Sequence, residues 1–306
     1  MRFMKRFCIT FLMIYFSLVC AQLPRDSSFT NYSELQKVRK KYPEAQLTVP
    51  AVKSSVSLAE NVIYTSFPGR KLHLDAYLHE SIGKKPAVIL IHGGGWKSGN
   101  KEMMKPLAMA VANKGFNCFA VEYRLSSEAK YPAAIDDVLN AIRFLKENAD
   151  RFNIDPKKIV VLGTSSGGQM ASLIGTKYAG QIAAVINIDG ILAFNHPDSE
   201  EGSAAAAWLG GTLAEKPEIW TEASPLSHGI EKSAPTLFIA SQHKRFQAGR
   251  QDMIKMLDKY SIYSQTQIID NSPHTFWMFD PWFDPVVGYI TRFINQQFNA
   301  QKIQSK

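Results

Sequence analysis

Short apolar runs recur along the chain, and longer stretches of mixed polarity separate them. A short run of consecutive hydrophobic residues is typical of a strand that is buried on both faces, as in a parallel sheet between helices. The stretch 132–147 lies between two such runs and predicts one of the covering helices. The apolar runs predict strands at 87–91, 118–121, 159–162 and 183–188, and later runs predict two more at 236–240 and 266–269.

The two ends of the chain carry different patterns. Residues 22–55 are polar and lysine-rich, with one helix predicted at 33–41, and we interpret them as an N-terminal arm. Alternating apolar residues at 72–78 predict an early strand with one exposed face. Residues 281–298 predict a closing helix. The whole pattern predicts one α/β domain over 56–300, with a mostly parallel central sheet and helices on both faces.

One long segment, 190–229, has no strand signal. It contains a short helix candidate at 203–209 and two tryptophans, Trp208 and Trp220. We interpret this insertion as a small cap over the carboxyl edge of the sheet, because open α/β folds bind their ligands at that edge.

The first residues have the pattern of a secretory signal peptide at 1–21. Three basic residues precede an apolar run at 7–19, and the small residue Ala21 follows it. The run is shorter than the roughly 20 residues that span a bilayer, so we expect export to the periplasm or the exterior, with no stable membrane insertion. Lipidation at Cys20 is the second alternative, because Val19 is a poor residue before a lipidated cysteine.

Composition narrows the class of partner. The chain is 45% hydrophobic and 20% charged, as globular proteins are. Removal of residues 1–21 takes away three basic and no acidic residues, so the formal charge falls from +8 to +5. The sequence has no basic run with interleaved aromatic residues that would predict nucleic-acid binding. Cys118 alone would remain, which excludes an intrachain disulfide, and no histidine–cysteine cluster predicts a metal.

The motif GTSSG at 163–167 follows an apolar run and precedes a helix-compatible stretch at 169–178. An isolated match to this pattern has little weight, but between a strand and a helix it predicts a nucleophile elbow. Its glycines permit the tight turn that would lift the Ser165 hydroxyl above the sheet, at the positive end of the following helix.

A second motif, HGGGW at 92–96, stands directly after another predicted strand. Successive glycines allow backbone N–H groups to converge on one point, as stabilisation of an oxyanion requires. A flexible loop would be the better interpretation for this motif alone. With an elbow further along the chain, we expect an oxyanion hole formed by the N–H groups of Gly94, Gly95 and Ser166.

Among the seven histidines of the chain, His274 is the best candidate for a general base. It follows the last predicted strand, and enzymes with a nucleophile elbow on such a sheet have the chain order serine, acid, histidine. His73 and His79 lie in or beside an early strand, and His92 belongs to the glycine loop. The remaining three are assigned to cap or loop surfaces: His196, His228 and His243.

These motifs carry a resemblance to a known family. The chain resembles the α/β-hydrolases of the hormone-sensitive-lipase and feruloyl or acetyl esterase type, over most of its length after the arm. The resemblance rests on the motifs HGGGW at 92–96, YRL at 123–125 with YPAAIDD at 131–137, GTSSG at 163–167, and on His274. The resemblance implies an α/β-hydrolase fold and a serine esterase that needs no cofactor.

The chain departs from the family pattern at the triad acid. Most relatives have an aspartate shortly after the seventh strand, whereas 241–245 here reads SQHKR. Loss of the acid costs several orders of magnitude in rate, so we expect a substitute. Asp189 is preferred because it ends the sixth strand, an alternative acid position in this fold. Asp252 is the runner-up, and a Ser165–His274 dyad is the third alternative.

Substrate-binding candidates come from aromatic and basic residues near the predicted site. Trp277 and Trp282 near His274, and Trp208 and Trp220 in the cap, are candidates for stacking on sugar rings, although at least two of the four are expected in the core. Trp96 in the glycine loop is a further substrate-binding candidate. Arg245, in a cluster with Lys244 and Arg250, is either a solvated surface charge or an anion subsite, because an arginine fork binds carboxylates.

The sequence therefore predicts a serine carboxylesterase that removes acetyl or related groups from small-molecule or carbohydrate esters. The segments 245–250 and 273–277 resemble polysaccharide-associated esterases of gut-type bacteria, which favours plant cell-wall xylan or pectin as the substrate. A general short-chain carboxylesterase is the alternative. A non-catalytic carbohydrate-binding relative that has lost its acid is the rival from another class. The pattern fixes no oligomeric state.

Overall fold

The fold is described from a computed structural model that covers residue 26 and residues 28–304, with side chains up to residue 298. The signal-peptide prediction falls outside these residues. The strands are β1 Gln46–Leu47, β2 Val56–Phe67, β3 Arg70–His79, β4 Lys85–Ile91, β5 Asn117–Val121, β6 Ile154–Thr164, β7 Ala184–Ile188, β8 Thr236–Ser241, β9 Ser264–Ile269 and β10 Phe279–Asp280. The α-helices are α1 Asn31–Val38, α2 Lys105–Ala112, α3 Ala133–Glu147, α4 Ser166–Lys177, α5 Gly202–Leu209, α6 Pro217–Glu222, α7 Arg250–Lys259 and α8 Phe283–Gln304.

Eight strands form the central sheet in the order β2-β3-β5-β4-β6-β7-β8-β9. Strand β3 runs antiparallel to both β2 and β5, and every other pair in this sheet is parallel. The predicted mostly parallel sheet is therefore confirmed. Of the described helices, none is long and apolar enough to cross a bilayer.

Successive residues of the buried strands belong to different hydrophobic cores. In β4, Val88 and Leu90 pack in a core with residues of α1, α2 and α8, whereas Ile89 and Ile91 pack on the opposite face with residues of α3 and α4. Side chains alternate across a strand, so a sheet that is covered on both faces needs apolar residues at every position. This explains the continuous apolar runs of the sequence.

The prediction of one exposed face for 72–78 is wrong. The segment lies in β3, between β2 and β5, and its residues from Leu74 to Tyr77 are buried. The polar residue Asp75 is buried because Lys101 Nζ lies 2.8 Å from its Oδ2, and both side chains are almost fully inaccessible. A paired carboxylate can occupy a position where an unpaired one would be costly, and the sequence pattern does not reveal its partner.

The N-terminal arm is docked onto the domain. Leu35, Val38 and Tyr42 are buried in the core that contains α2 and α8. The short strand β1 pairs with β10 through Gln46 and Leu47, and the two strands form a separate two-stranded sheet. Neither of these two-residue strands is predicted from the sequence.

The register of the parallel strands brings the candidate residues to one edge. Ile91 of β4 pairs with Gly163 of β6, and Thr164 pairs with Ile188 of β7. The glycine loop, Ser165 and Asp189 begin directly after these strand ends. They therefore meet at the carboxyl edge of the sheet, where α/β folds bind their ligands.

Candidate active site

The nucleophile candidate lies at a sharp turn between β6 and α4. Ser165 has φ 53° and ψ −121°, a strained conformation for a residue with a side chain. Its N–H donates to the carbonyl of Ile188, which fixes the turn to the neighbouring strand. A Cβ at Gly163 or Gly167 would overlap backbone atoms of Gly167 or Ile91 respectively. The glycines of the motif are therefore required by the close approach of the chain to itself.

Ser165, His274 and Asp189 form a continuous chain of hydrogen-bonding groups. His274 Nε2 lies 2.9 Å from Ser165 Oγ, and its Nδ1 lies 2.9 Å from Asp189 Oδ2. A carboxylate only accepts hydrogen bonds, so this contact favours the tautomer with the proton on Nδ1. In that tautomer Nε2 is free to accept the proton of the serine hydroxyl.

Asp189 occupies the acid position through its backbone as well as its side chain. It follows β7 with φ 50°, its side chain is fully buried, and its Oδ1 accepts the N–H of Ser241 at 2.8 Å. Arg250 lies nearby and is buried. Burial lowers the pKa of the Arg250 guanidinium, and the carboxylate of Asp189 partly opposes that shift.

Asp252 is not brought to His274. It lies on α7, where its carboxylate is 3.5 Å from His196 and 3.4 Å from Lys255, and it is half-exposed. The runner-up acid is therefore a surface carboxylate in this structure. A bare dyad also does not describe the site, because the Asp189 carboxylate contacts the imidazole.

An aromatic side chain from the segment after β8 packs against the candidate base. Phe246, in a 3₁₀ turn at Lys244–Gln247, stacks on His274 with ring centroids 3.4 Å apart and planes 10° from parallel. Trp277 meets the imidazole edge-on, with centroids 5.3 Å apart. The two aromatic contacts restrict the orientation of the imidazole. No role for Phe246 is predicted from the sequence, because Phe246 belongs to none of the recognised motifs.

The glycine loop lies directly against the elbow. A Cβ at Gly93 would be 2.9 Å from the Thr164 carbonyl oxygen and 3.0 Å from Ser165 Cβ. Gly94 and Gly95 have φ values of 122° and 59°. Their N–H groups, and that of Ser166 at the start of α4, have no acceptor among the described residues. These three donors are therefore available to a negatively charged oxygen near Ser165.

Trp96 supports the loop from the cap side. Its Nε1 donates to Gln169 Oε1 at 3.0 Å, and its ring stacks on Trp208 with centroids 5.1 Å apart. Trp96 is 2% exposed, but it still lines the small cavity beside Ser165. It contributes a wall of the site rather than a broad open platform.

The predictions that Trp208 and Trp277 stack on sugar rings are wrong. Trp208 is fully buried between Trp96, Phe194 and Tyr131, and Trp277 is 2% exposed. Both rings are core residues that support the loops of the site, so neither presents a face to a ligand. A tryptophan count alone does not distinguish core packing from ligand stacking.

Arg245 does not form an anion subsite, which was one of the two alternatives for this residue. Its guanidinium is 3.1 Å from Glu201 and 3.5 Å from Glu200, so two carboxylates already occupy it. Lys244 is exposed, whereas Arg250 is buried. The three basic residues therefore have three different environments and do not act as one cluster.

The cavity at Ser165 is narrow. It offers about 20 Å³ to the centre of a water-sized sphere. Its lining residues are Gly95, Trp96, Ser165, Ser166, Gln169, Asp189, Ile191, Glu201 and Phe246. No group of three or more histidine, cysteine or acidic residues in the described part of the chain is arranged to hold a metal ion.

Comparison with known proteins agrees with this architecture. A family model described as BD-FAE matches residues 74–246. The carboxylesterase NlhH of Mycobacterium tuberculosis is 40% identical over 90 residues, which cover 29% of this chain and 28% of that relative. The matched region thus spans less than a third of the relative's length.

Two solved structures have the same fold. A truncated carbohydrate esterase from gut microbiota has a TM-score of 0.67 and 22% identity, covering 81% of this chain and 98% of its own. An acetyl ester-xyloside bifunctional hydrolase from Caldicellulosiruptor lactoaceticus has a TM-score of 0.64 and 20% identity, covering 76% and 90%. The predicted α/β-hydrolase fold is confirmed.

Proposed function

We propose that this chain, which belongs to the BD-FAE family and has the hormone-sensitive-lipase type of α/β-hydrolase fold, hydrolyses carboxylic esters with Ser165 as the nucleophile. The observation that carries the proposal is the hydrogen-bonded series Ser165, His274 and Asp189, with a distance of 2.9 Å at each step. A hydroxyl, an imidazole and a buried carboxylate in this order form the charge arrangement that activates a serine.

The proposed reaction has two acyl-transfer steps. His274 Nε2 takes the proton from Ser165 Oγ as the oxygen attacks the ester carbonyl, and the imidazolium then returns the proton to the departing alcohol. The products of this step are the free alcohol and an acyl-serine. Water attacks the acyl-serine with the same base, releases the carboxylic acid and restores the serine hydroxyl. Asp189 keeps the imidazole oriented and stabilises its protonated form.

The glycine loop and the start of α4 supply the electrostatic part of the proposal. In each step the carbonyl oxygen becomes negatively charged, and the N–H groups of Gly94, Gly95 and Ser166 are the donors available to it. Preorganised donors of this kind are worth about 10²–10³ in rate for each one removed. Asp189 cannot compete for them, because its oxygens face Ser241 and His274.

The narrow cavity favours a small acyl group. About 20 Å³ is little more than the ~10–15 Å³ that a single water requires on this measure. An acetyl group is among the smallest acyl groups, so acetate esters require the least enlargement of this space. We therefore propose acetyl groups on plant cell-wall polysaccharides or their oligosaccharides, such as xylan or pectin, as the substrates. A general short-chain carboxylesterase remains the alternative.

The experiment is the hydrolysis of 4-nitrophenyl acetate by the native protein and by Ser165→Ala. We expect the substitution to lower kcat by about 10⁴-fold or more, because no other group attacks the carbonyl. Ser81→Ala, at an exposed position before β4 and so at the opposite end of that strand from the site, is the matched control and should retain the native rate. Absence of hydrolysis by the folded native protein would favour the non-catalytic binding protein.

The length of the acyl group and the identity of the alcohol distinguish a carbohydrate acetyl esterase from a general short-chain carboxylesterase. Acetate esters should be cleaved with a kcat/KM at least about tenfold above butanoate esters, because each additional methylene adds to the volume that this narrow cavity must accept. Acetate release from acetylated xylan and acetylated pectin then distinguishes a carbohydrate esterase from a general one. Release from neither polymer nor its oligosaccharides would leave the short-chain carboxylesterase as the function.

We also propose that the enzyme acts outside the cytoplasm, on the basis of the signal-peptide pattern at 1–21. N-terminal sequencing of the protein recovered from the periplasm or the medium should give Gln22 as the first residue. Recovery of a lipid-linked Cys20 would support the second alternative.

A further inference from the structure

One charged side chain outside the proposed triad lines the cavity at Ser165. This is Glu201, which precedes α5 in the cap; the other residues of the described lining, apart from the triad, are uncharged. Its side chain is 13% exposed, whereas that of the neighbouring Glu200 is 66% exposed. The two adjacent glutamates therefore have different positions, with one facing the cavity and the other facing solvent.

Arg245 holds Glu201 in place relative to the base. The Arg245 Nη2 lies 3.1 Å from Glu201 Oε1, and the same guanidinium lies over the ring of Phe246 at 4.8 Å from its centroid. Phe246 in turn stacks on His274. A carboxylate that is fixed by packed partners loses little freedom when it binds a ligand, so its position is preorganised.

The second oxygen of this carboxylate is available to a ligand. Glu201 Oε2 has no hydrogen-bond donor among the described residues, although Oε1 accepts from Arg245. A carboxylate oxygen accepts hydrogen bonds from hydroxyl groups and repels a second carboxylate. Both effects are stronger in a narrow cavity than in water, because screening by solvent is weaker there.

We infer that Glu201 determines specificity by selecting esters of neutral, hydroxyl-bearing sugars over esters of uronates. The hydroxyl next to the acetylated position would donate to Oε2, and a uronate carboxylate in the same region would be repelled. The inference rests on the proposed function and narrows it. Among plant cell-wall esters it favours acetylated xylose-type units over acetylated galacturonate.

The test compares two acetylated monosaccharides of similar size, an acetylated methyl xyloside and an acetylated methyl galacturonoside with a free carboxylate. The native protein should have the higher kcat/KM for the xyloside. Glu201→Gln keeps the size and one acceptor oxygen but removes the charge, and it should raise the galacturonoside-to-xyloside ratio of kcat/KM by about tenfold. High salt should reduce the difference in kcat/KM between the two substrates for the native protein. It should leave the ratio of kcat/KM for Glu201→Gln nearly constant.

Two further variants give matched comparisons. Glu200→Gln removes a carboxylate that contacts the same arginine but faces solvent, and it should change the ratio by less than about twofold. Arg245→Gln leaves Glu201 without its cation and should lower the ratio, which is the opposite direction to Glu201→Gln. Circular dichroism and thermal melting establish that each variant is folded.

The outcomes separate this inference from the proposed function. An unchanged ratio in Glu201→Gln, with 4-nitrophenyl acetate still hydrolysed, overturns the inference and leaves the esterase standing. A native preference for the galacturonoside also overturns it. Failure of the folded native protein to hydrolyse any ester overturns the proposed function, and the inference with it.

Discussion

Ser165 and Asp189 both have backbone conformations that side chains normally avoid, with φ of 53° and 50°. Such residues cost roughly 1–3 kcal/mol each and persist where the surrounding structure holds them. Here neighbouring strands supply the restraint, since the Ser165 N–H donates to Ile188 and the Asp189 N–H donates to Ile239. The strain is therefore carried by the sheet, and the two side chains are turned toward His274 at its carboxyl edge.

Removal of the charge at Asp189 tests the acid assignment. Asp189→Asn should lower the acylation rate by about 10³–10⁴-fold, because an amide does not stabilise the imidazolium or enforce the required tautomer. Asparagine tolerates positive φ, so the turn should survive. Asp252→Asn should stay within about twofold of the native rate. Stopped-flow measurement of the nitrophenol burst gives both values, and the reverse ranking would refute the assignment.

The contact between the glycine loop and the elbow gives a second residue-level prediction. In Gly93→Ala the new Cβ would lie 2.9 Å from the Thr164 carbonyl oxygen, so the loop must shift and its N–H groups move with it. We expect kcat for 4-nitrophenyl acetate to fall by about 10²-fold, comparable to the loss of one oxyanion donor. Gly180→Ala, where no atom lies within 4 Å of the new Cβ, is the matched control. Equal rates in the two variants would contradict the close approach.

Residue identity was sufficient to predict some of the site but not all of it. Ser165 and His274 follow from motifs whose spacing places them after strands, and Asp189 follows from the end of β7. Phe246 and Glu201 were not predicted, because each acts through a contact between segments that are distant in the sequence. A sequence shows which residues stand at strand ends, whereas it does not show which loop folds back over them.

At the scale of elements, the cap is fastened to the domain by aromatic packing. Trp208 on α5 contacts Trp96 of the glycine loop, and Phe194 packs against both rings. The cap and the loop that carries the proposed oxyanion donors therefore share one small core. A disturbance of α5 should be transmitted to the loop, because tightly packed cores adjust little when one side chain changes.

Substitution of Trp208 distinguishes this structural role from ligand stacking. Trp208→Ala should reduce the free energy of unfolding by about 3–5 kcal/mol, because it removes a fully buried indole. Leu213→Ala, at an exposed position of the same cap, should change it by less than about 0.5 kcal/mol. Urea unfolding followed by tryptophan fluorescence measures both. A Trp208→Ala protein of native stability that had lost only oligosaccharide affinity would restore the stacking interpretation.

Element prediction succeeded where burial was uniform. The parallel strands β4 to β8 are covered on both faces, so their apolar runs identify them without ambiguity. Strand β2 was missed because it is a partly exposed edge strand with a register shift at Asn61, and its sequence has neither a continuous run nor strict alternation. Strands β1 and β10 are too short to have any periodicity.

At the scale of the whole molecule, buried tyrosines make the free energy of unfolding depend on pH in the alkaline range. Burial raises the pKa of Tyr64 and Tyr77, and it raises the pKa of Tyr131 to about 12. An unfolded tyrosine loses its proton near pH 10, so above that pH the unfolded chain binds fewer protons than the folded one. This contribution to stability is complete below pH 10 and is lost as the pH rises toward the folded pKa values.

The free energy of unfolding should therefore decrease as the pH is raised above about 10. Guanidinium unfolding at intervals between pH 8 and pH 11 measures the slope, and absorbance at 295 nm reports ionisation of the exposed tyrosines in the folded state. Tyr131→Phe removes one of the three groups and should flatten the slope. A slope that is unaffected by this substitution would show that other groups cause the loss.

The pairing of β1 with β10 has a practical consequence for the design of shortened proteins. Asp280, six residues after His274, is held by Gln46, and the carbonyl of Met278 accepts the N–H of Thr48. A protein trimmed to start at residue 56 would lack β1, so the loop after His274 would lose its pairing partner. The surface that Leu35 and Tyr42 cover would also be exposed. Expression tags and fusion junctions are therefore best placed before residue 26, and shortened proteins for crystallisation should retain the segment from there onward.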